Sequence, residues 1–400
     1  MRRLSLWAPT ATMLLVSLIS YIDRNTLALL APTILEETKL TAEQFGFVIS
    51  AFSIAYMIGN PVWGRWLDRF GLRFGMMIAV IFWSLASISH AFAVGFLGFA
   101  AARACLGFGE GATFPGGLRT VVQTLPPSKR SRGVAVAYSG GSLGAVITPI
   151  IVTPIALTWG WRAAFIFTGL IGGLWLILWL CISRRPEIKH TSDFSSEEGA
   201  LDAPRFTDPR VWSFMLAYAL GALPIAFVIY VAALYLKGAL GLSQAQIGAV
   251  LWIPPLGWEI GYFFWGWLID RSTDKNKSSI KPVFWLLTVV TVLGTPLAFV
   301  PYVSSLWAVM FLLFLAMFVA GGFLILTVAY AVRTYSPAHS GLIAGLGAGS
   351  WSAAVACVMP IFGRLFDLRQ YDTLFLLAAI CPIAGYLIWL AINRGVLKTA

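Results

Sequence analysis

Charged residues are scarce in this sequence. Asp, Glu, Lys and Arg make up 11% of its 400 residues, against about 25% in a soluble globular domain. A water-facing surface cannot be built from so few, and the usual division of such a length into two or three globular domains does not apply. Acids are scarcer than bases, 17 against 28. The net charge of +11 would suit nucleic acid if the bases clustered with aromatics in one soluble module. They sit instead in short connectors between apolar runs, which excludes nucleic acid as a partner. Only four cysteines occur, Cys105, Cys181, Cys357 and Cys381. All lie in apolar stretches without C-x-x-C spacing, so they read as small buried hydrophobes rather than a disulfide framework or metal site. The three histidines, His90, His190 and His339, are scattered. No P-loop is present, which removes ATP as a driving force, and nothing calls for a cofactor or a metal.

What fills the chain is apolar: 59% hydrophobic residues, with 28 Phe and 17 Trp. About twenty such residues cross a bilayer as a helix. That ruler gives spans near 6–31, 43–67, 73–94, 96–122, 130–157 and 161–183. A polar stretch, 184–209, with Arg184, Arg185, Glu197 and Glu198, follows. Six more spans come near 210–236, 245–269, 282–301, 305–330, 340–365 and 371–393. The start, Met1-Arg2-Arg3 before an apolar run, imitates a signal peptide. No A-x-A-like site closes that run, so it is expected to stay as the first membrane helix.

Orientation follows from Lys and Arg. With both ends cytoplasmic, the outer connectors hold only Lys39, Arg162, Lys237, Arg364 and Arg369. The inner ones hold most of the rest, including Arg65, Arg73, Arg119, Lys129, Arg130, Lys275 and Lys277. The expected place is therefore the plasma (inner) membrane, multi-pass. The halves also repeat: Gly64-Arg-Trp-Leu-Asp68-Arg69 ends the second span and Gly266-Trp-Leu-Ile-Asp270-Arg271 the eighth. A parallel six-plus-six repeat is a transporter architecture with its site near the midplane between halves. The chain thus divides into 1–183, a cytoplasmic linker 184–209, and 210–400.

Five ionisable side chains fall inside these spans: Asp23, Arg24, Arg103, Glu110 and Glu259. A charge at the centre of a membrane helix costs about 2.5–3.5 kcal/mol on insertion scales, so it marks a pathway or a site by default. By helix rise, Asp23 and Arg103 each lie about 8 Å to the outer side of their helix centres, at a depth where they could pair. Arg103 and Glu110, seven residues apart, face the same way.

The run Gly64-Arg-Trp-Leu-Asp68-Arg69-Phe-Gly71-Leu-Arg73-Phe-Gly75 resembles the signature between helices 2 and 3 of the major facilitator superfamily, and the resemblance covers nearly the whole chain. Three segments are similar to the anion:cation symporter family: Tyr21-Ile-Asp23-Arg24, Tyr56, and Arg103-Ala-Cys-Leu-Gly-Phe-Gly-Glu110-Gly-Ala-Thr-Phe-Pro115. Gly160-Trp-Arg-Ala-Ala-Phe165 adds a weaker echo. That family includes bacterial galactonate, hexuronate and glucarate carriers and animal vesicular and lysosomal organic-anion carriers. The resemblance implies an all-α integral membrane protein of twelve helices in two pseudo-symmetric halves around a central cavity. Helices 1 and 4 of each half would line that cavity, and helices 3, 6, 9 and 12 would face outward. It further implies proton-coupled symport of an organic anion such as a sugar acid or other carboxylate. Arg24 would hold the substrate carboxylate, and Asp23 and Glu110 would carry protons. A guanidinium suits the first role because it forks a carboxylate and keeps its charge.

Two departures weaken the sugar-acid reading relative to carboxylates in general. Gly141 and Ser352 stand near positions where sugar-acid carriers often have amides. Ser352 joins Tyr56, Tyr138 and Tyr230 as candidate substrate contacts, with interhelical packing the alternative for the tyrosines. Asp23–Arg103 is either a structural salt bridge or a proton-sensitive latch. Glu259 either faces the cavity or bonds a neighbouring helix. Asp68 and Arg69, with Asp270 and Arg271, are placed at the inner gate. Two acids near the cavity predict more than one proton per anion and hence electrogenic uptake.

Two motif matches fail. Gly107-x-Gly109-x-x-Ala112 fits a dinucleotide fingerprint, but no strand precedes it, and small residues allowing close helix packing explain it. Gly140-x-Ser142-x-Gly144 fits a nucleophile elbow, but lacks both the strand-to-helix turn and a histidine partner. No reactive constellation points to an intramembrane enzyme, and no appended domain points to a sensor. Proton-independent anion exchange or efflux remains the alternative within transport. The expected partners are an organic anion, protons and the lipid bilayer, and nothing requires more than a monomer.

Overall fold

The computed structural model describes residues 2–189, 204–272, 280–335 and 339–399. Lys275, Lys277, Glu197, Glu198, His190 and most of the linker lie outside the described residues. The described chain is helical, with no strand among its elements. Helices satisfy every backbone polar group within one segment, which an oil-like surrounding demands.

Eleven helices among the described residues are long and apolar enough to cross a membrane. In chain order they are span 1 Leu6–Thr38, span 2 Ala42–Phe70, span 3 Leu72–Phe92, span 5 Ser128–Trp159, span 6 Trp161–Ile182, span 7 Pro209–Gly238, span 8 Gln244–Arg271, span 9 Lys281–Tyr302, span 10 Leu306–Thr334, span 11 Leu342–Asp367 and span 12 Tyr371–Gly395. Span 4 completes the set of twelve and departs from the unbroken helix expected over 96–122. It runs as Gly95–Glu110, turns at Gly111 and Ala112, and resumes as Thr113–Thr124. Gly111 makes this turn possible against span 2: a Cβ there would lie 2.7 Å from the Gly59 carbonyl carbon and 2.8 Å from the Asn60 nitrogen.

The chain forms two units. One holds spans 1–6 together with Gly241–Trp252, the start of span 8; the other holds span 7 and the remainder. The 202-residue repeat extends well beyond the G-x-x-x-D-R motif. Span 2 begins with a capping box of Thr41 and Gln44, span 8 with one of Ser243 and Gln246. Gly59 meets the Phe108 carbonyl as Gly261 meets that of Phe318. The indole of Trp63 donates to Phe108 O at 2.8 Å, and that of Trp265 to Phe318 O at 3.1 Å. Each half thus locks its second helix to its fourth with the same glycine and the same tryptophan.

Spans 3, 6, 9 and 12 expose apolar side chains where a soluble protein would place polar ones. Leu85 is 62% exposed, Leu174 66%, Trp285 63% and Leu387 53%. These match the outward-facing helices of the expected twelve-helix fold. Cys105, Cys181 and Cys357 are exposed too, which corrects their reading as buried hydrophobes. In a membrane helix the outer face is as apolar as the core, so hydrophobic context does not tell the two apart. Outside the spans, Asp208 caps span 7. Burial alone would raise its carboxyl, but hydrogen bonds from Arg210 and Tyr335 outweigh that and hold it below its ordinary value.

Candidate functional site

Among the described residues, every buried Asp, Glu, His or Arg belongs to the first unit: Asp23, Arg24, His90, Arg103, Glu110 and Arg119. Adjacent residues on a helix point about 100° apart, so Asp23 and Arg24 serve different neighbours.

Arg24 turns toward spans 2 and 4. Its Nε and Nη2 both donate to Oε2 of Glu110, at 3.2 and 2.7 Å. The guanidinium carbon lies 4.5 Å from the ring centre of Tyr21 and 4.7 Å from those of Phe52 and Tyr56. Phe52 and Tyr56, one turn apart on span 2, stack at 5.7 Å and 14°. Three aromatic faces around one cation each attract it, by about 0.5–2 kcal/mol where water is excluded. Arg103, fully buried, donates Nη2 to the backbone carbonyl of Arg24 at 2.9 Å. It thereby ties span 4 to span 1 at the level of the ion pair. Glu110 is the last residue before the break in span 4.

The packing that brings these groups together depends on missing side chains. A Cβ on Gly107 would run into the Phe52 carbonyl, so Gly107, with Gly111 one turn on, lets span 4 touch span 2 backbone to backbone. That is the role the sequence assigned to the false dinucleotide fingerprint. On the other flank, a Cβ on Gly141 would lie 3.0 Å from the Tyr21 ring. The aromatic ring occupies the space a larger residue 141 would need.

Asp23 turns toward spans 3 and 6, where Ser87 Oγ donates to its Oδ1 at 2.6 Å. Its hydrogen-bond partner is therefore a serine that the sequence reading did not single out. Arg103 acts on it through its field.

The other predicted residues fall elsewhere. Tyr138 spends its hydroxyl proton on the Phe114 carbonyl at 3.0 Å and packs against the Phe114 ring, which is the packing use of a membrane tyrosine. Tyr230 and Ser352 are buried in the second unit, and Glu259 is half-buried there. Asp68 forms an ion pair with Arg119 on the second segment of span 4. In the second unit the charge of Asp270 acts on Arg333 of span 10. Arg69 and Arg271 lie over the rings of Phe70 and Trp267. The sequence counted Arg119 only as a cytoplasmic charge.

The sequence profile of the Major Facilitator Superfamily matches residues 13–301. The hexuronate transporter of Escherichia coli (strain K12) is 26% identical over 435 residues, covering 98% of this chain and 96% of its own. The probable sulfoacetate transporter SauU of Cupriavidus necator is 27% identical over 403 residues, covering 95% and 92%. Among solved structures, a bacterial homologue of the human lysosomal transporter Spinster, inward-facing and unoccupied, superposes with a TM-score of 0.84. At 16% identity, with 98% of each chain covered, that likeness speaks to the fold alone.

Proposed function

Because the chain belongs to the Major Facilitator Superfamily and is a transporter rather than an enzyme, we propose that it carries a small organic anion inward together with protons, exposing the Arg24 site alternately to the two sides of the membrane. The observation that carries this reading is the ion pair of Arg24 with Glu110 inside an aromatic enclosure. Arg24 is already neutralised there. An incoming carboxylate or sulfonate must therefore take the place of Glu110 on the guanidinium. A buried carboxylate stripped of its partner costs several kcal/mol, unless it takes a proton. Anion on Arg24 and proton on Glu110 therefore arrive together and leave together.

The same exchange explains how the carrier crosses both empty and loaded. Arg24 with ionised Glu110 sums to no charge. Arg24 with a bound monoanion and protonated Glu110 sums to none as well. Each form avoids burying an uncompensated ion. A second proton on Asp23 would make uptake electrogenic. Relatives named as a hexuronate transporter and a probable sulfoacetate transporter support an anion of this kind and leave its hydroxyl pattern to the rest of the site.

The remaining assignments follow this frame: halves 1–183 and 210–400 joined by a cytoplasmic linker, both termini cytoplasmic, and Tyr56 against the substrate beside Arg24. The Asp68–Arg119 pair belongs to the inner gate. Asp68 is twelve residues along span 2 from Tyr56, about 18 Å by helix rise. Asp68→Asn should accordingly slow uptake several-fold while leaving equilibrium anion binding intact; equal damage to both would remove the gating role.

A melting-temperature screen of the purified protein tests the substrate class, since ligands that bind the folded state stabilise it. Hexuronates, aldonates and sulfoacetate should raise the melting temperature and neutral sugars should not, and Arg24→Ala should erase the response. Stabilisation by neutral sugars that survives Arg24→Ala would overturn the reading.

A further inference from the structure

Ser87 joins Asp23 to a third residue. Its Oγ lies 3.0 Å from Thr168 Oγ1 on span 6, and Thr168 Oγ1 lies 3.2 Å from the Phe165 carbonyl oxygen. Asp23, Ser87 and Thr168 are all at most 1% exposed. Span 6 comes this close because its facing residues are glycines: a Cβ on Gly172 would run into Ser84 Oγ, and one on Gly169 would lie 2.5 Å from Ile88.

Each hydroxyl has one proton to give. With Asp23 ionised, Ser87 donates to the carboxylate and Thr168 donates to Ser87. With Asp23 protonated, the carboxyl donates to Ser87, Ser87 to Thr168, and Thr168 to the Phe165 carbonyl. Both states are hydrogen-bonded throughout, and passing between them reverses the whole chain. No proton needs to leave the hydroxyls, and no atom moves beyond rotation of two O–H bonds.

We propose that Ser87 and Thr168 are positioning residues that set the proton affinity of Asp23 through this reversible hydroxyl chain, both favouring the ionised form, Ser87 by direct donation and Thr168 by donating to Ser87. The inference rests on the reading of Asp23 as a proton carrier. The other ionisable groups around it are fixed by other partners. Arg24 and Glu110 hold each other, and Arg103 donates to the Arg24 carbonyl. His90, at the end of span 3, gives its Nδ1 proton to the Ala86 carbonyl at 2.8 Å. On span 6, Arg162 pairs with Glu37 at the helix end. The helical stretch Gly140–Trp159 of span 5 carries no charged residue.

The two residues make graded predictions. Ser87→Ala removes the charge-assisted donor to the carboxylate, the stronger kind of hydrogen bond, so Asp23 should bind its proton about tenfold more tightly. Thr168→Val leaves that donor in place but removes the hydroxyl that donates to Ser87 when Asp23 is ionised. Proton binding should then tighten by about threefold, as for a neutral hydrogen bond. The readout is the carboxylic C=O stretch of the purified protein, followed by infrared difference spectroscopy against pH and assigned by its loss in Asp23→Asn. The midpoint should move to higher pH in both variants, and further in Ser87→Ala than in Thr168→Val. Thr168→Ser, which keeps the hydroxyl, should restore the wild-type midpoint and guards against a packing artefact. Midpoints that coincide with wild type, or shift to lower pH in either variant, overturn the proposal. So does the absence of any band lost in Asp23→Asn. If the midpoints move as expected while wild-type uptake ignores an imposed pH gradient, the hydroxyl chain stands and the proton-coupling reading falls.

Discussion

Glu110→Gln should abolish accumulation driven by a pH gradient while leaving exchange of anion across the membrane intact. The amide keeps the shape and an acceptor oxygen for the Arg24 guanidinium, which Glu110 contacts at 2.7 Å, but it can neither take up nor release a proton. It also no longer competes as an anion for Arg24, so substrate affinity should lose its dependence on pH. The effect on accumulation is large. If two protons accompany a monovalent anion, one net charge crosses, and a potential of about 100 mV adds about 2.3 kcal/mol, roughly fifty-fold in accumulation beyond the pH gradient. Counterflow in reconstituted vesicles separates the two activities. Concentrative uptake by Glu110→Gln under an imposed pH gradient would show that the coupling site is elsewhere.

Arg24→Lys is expected to lose nearly as much, although charge is conserved. Arg24 offers Nε and Nη2 in a fixed plane, both used on one carboxylate oxygen, and its flat face fits among Tyr21, Phe52 and Tyr56. An ammonium is a point charge on a flexible stem and reproduces neither feature. The expected loss in anion binding is about 1.5–3 kcal/mol, as for a hydrogen bond to a charged group, or about ten- to 150-fold in Kd. Calorimetric titration with the anion that most raises the melting temperature measures it. Near-wild-type affinity in Arg24→Lys, with Arg24→Ala inactive, would reduce Arg24 to a countercharge.

The charges of the site were legible in the sequence because each interrupts an apolar run, and an interruption that costly is visible without an alignment. Their partners were not. Phe52 is one of 28 phenylalanines, and nothing in its neighbourhood separates a ring over a guanidinium from a ring in lipid; only its i, i+4 relation to Tyr56 hinted at a shared face. Ser87 and Thr168 are ordinary hydroxyls whose meaning depends on the register between spans 3 and 6. Arg119 was counted among cytoplasmic charges because its pairing with Asp68 is a contact between spans 2 and 4. The break after Glu110 was hidden for a similar reason: glycines are common in membrane helices, and Gly111 needs the backbone of Gly59 beside it before its role shows. The repeat, by contrast, was under-read. Thr41 with Ser243, Gly59 with Gly261 and Trp63 with Trp265 share the 202-residue offset of Asp68 with Asp270. The first pair differs in residue type, and all three were visible in the sequence.

The central claim is that an anion takes Arg24 only as Glu110 takes a proton. Proton uptake on substrate binding tests it most directly, measured by titration calorimetry of the purified protein near neutral pH in buffers of different ionisation enthalpy. The account predicts that binding draws protons from solution in the wild type and that Glu110→Gln binds the same anion with that uptake reduced by about one proton per anion. Binding to the wild type with no proton uptake, or an uptake unchanged in Glu110→Gln, would contradict it.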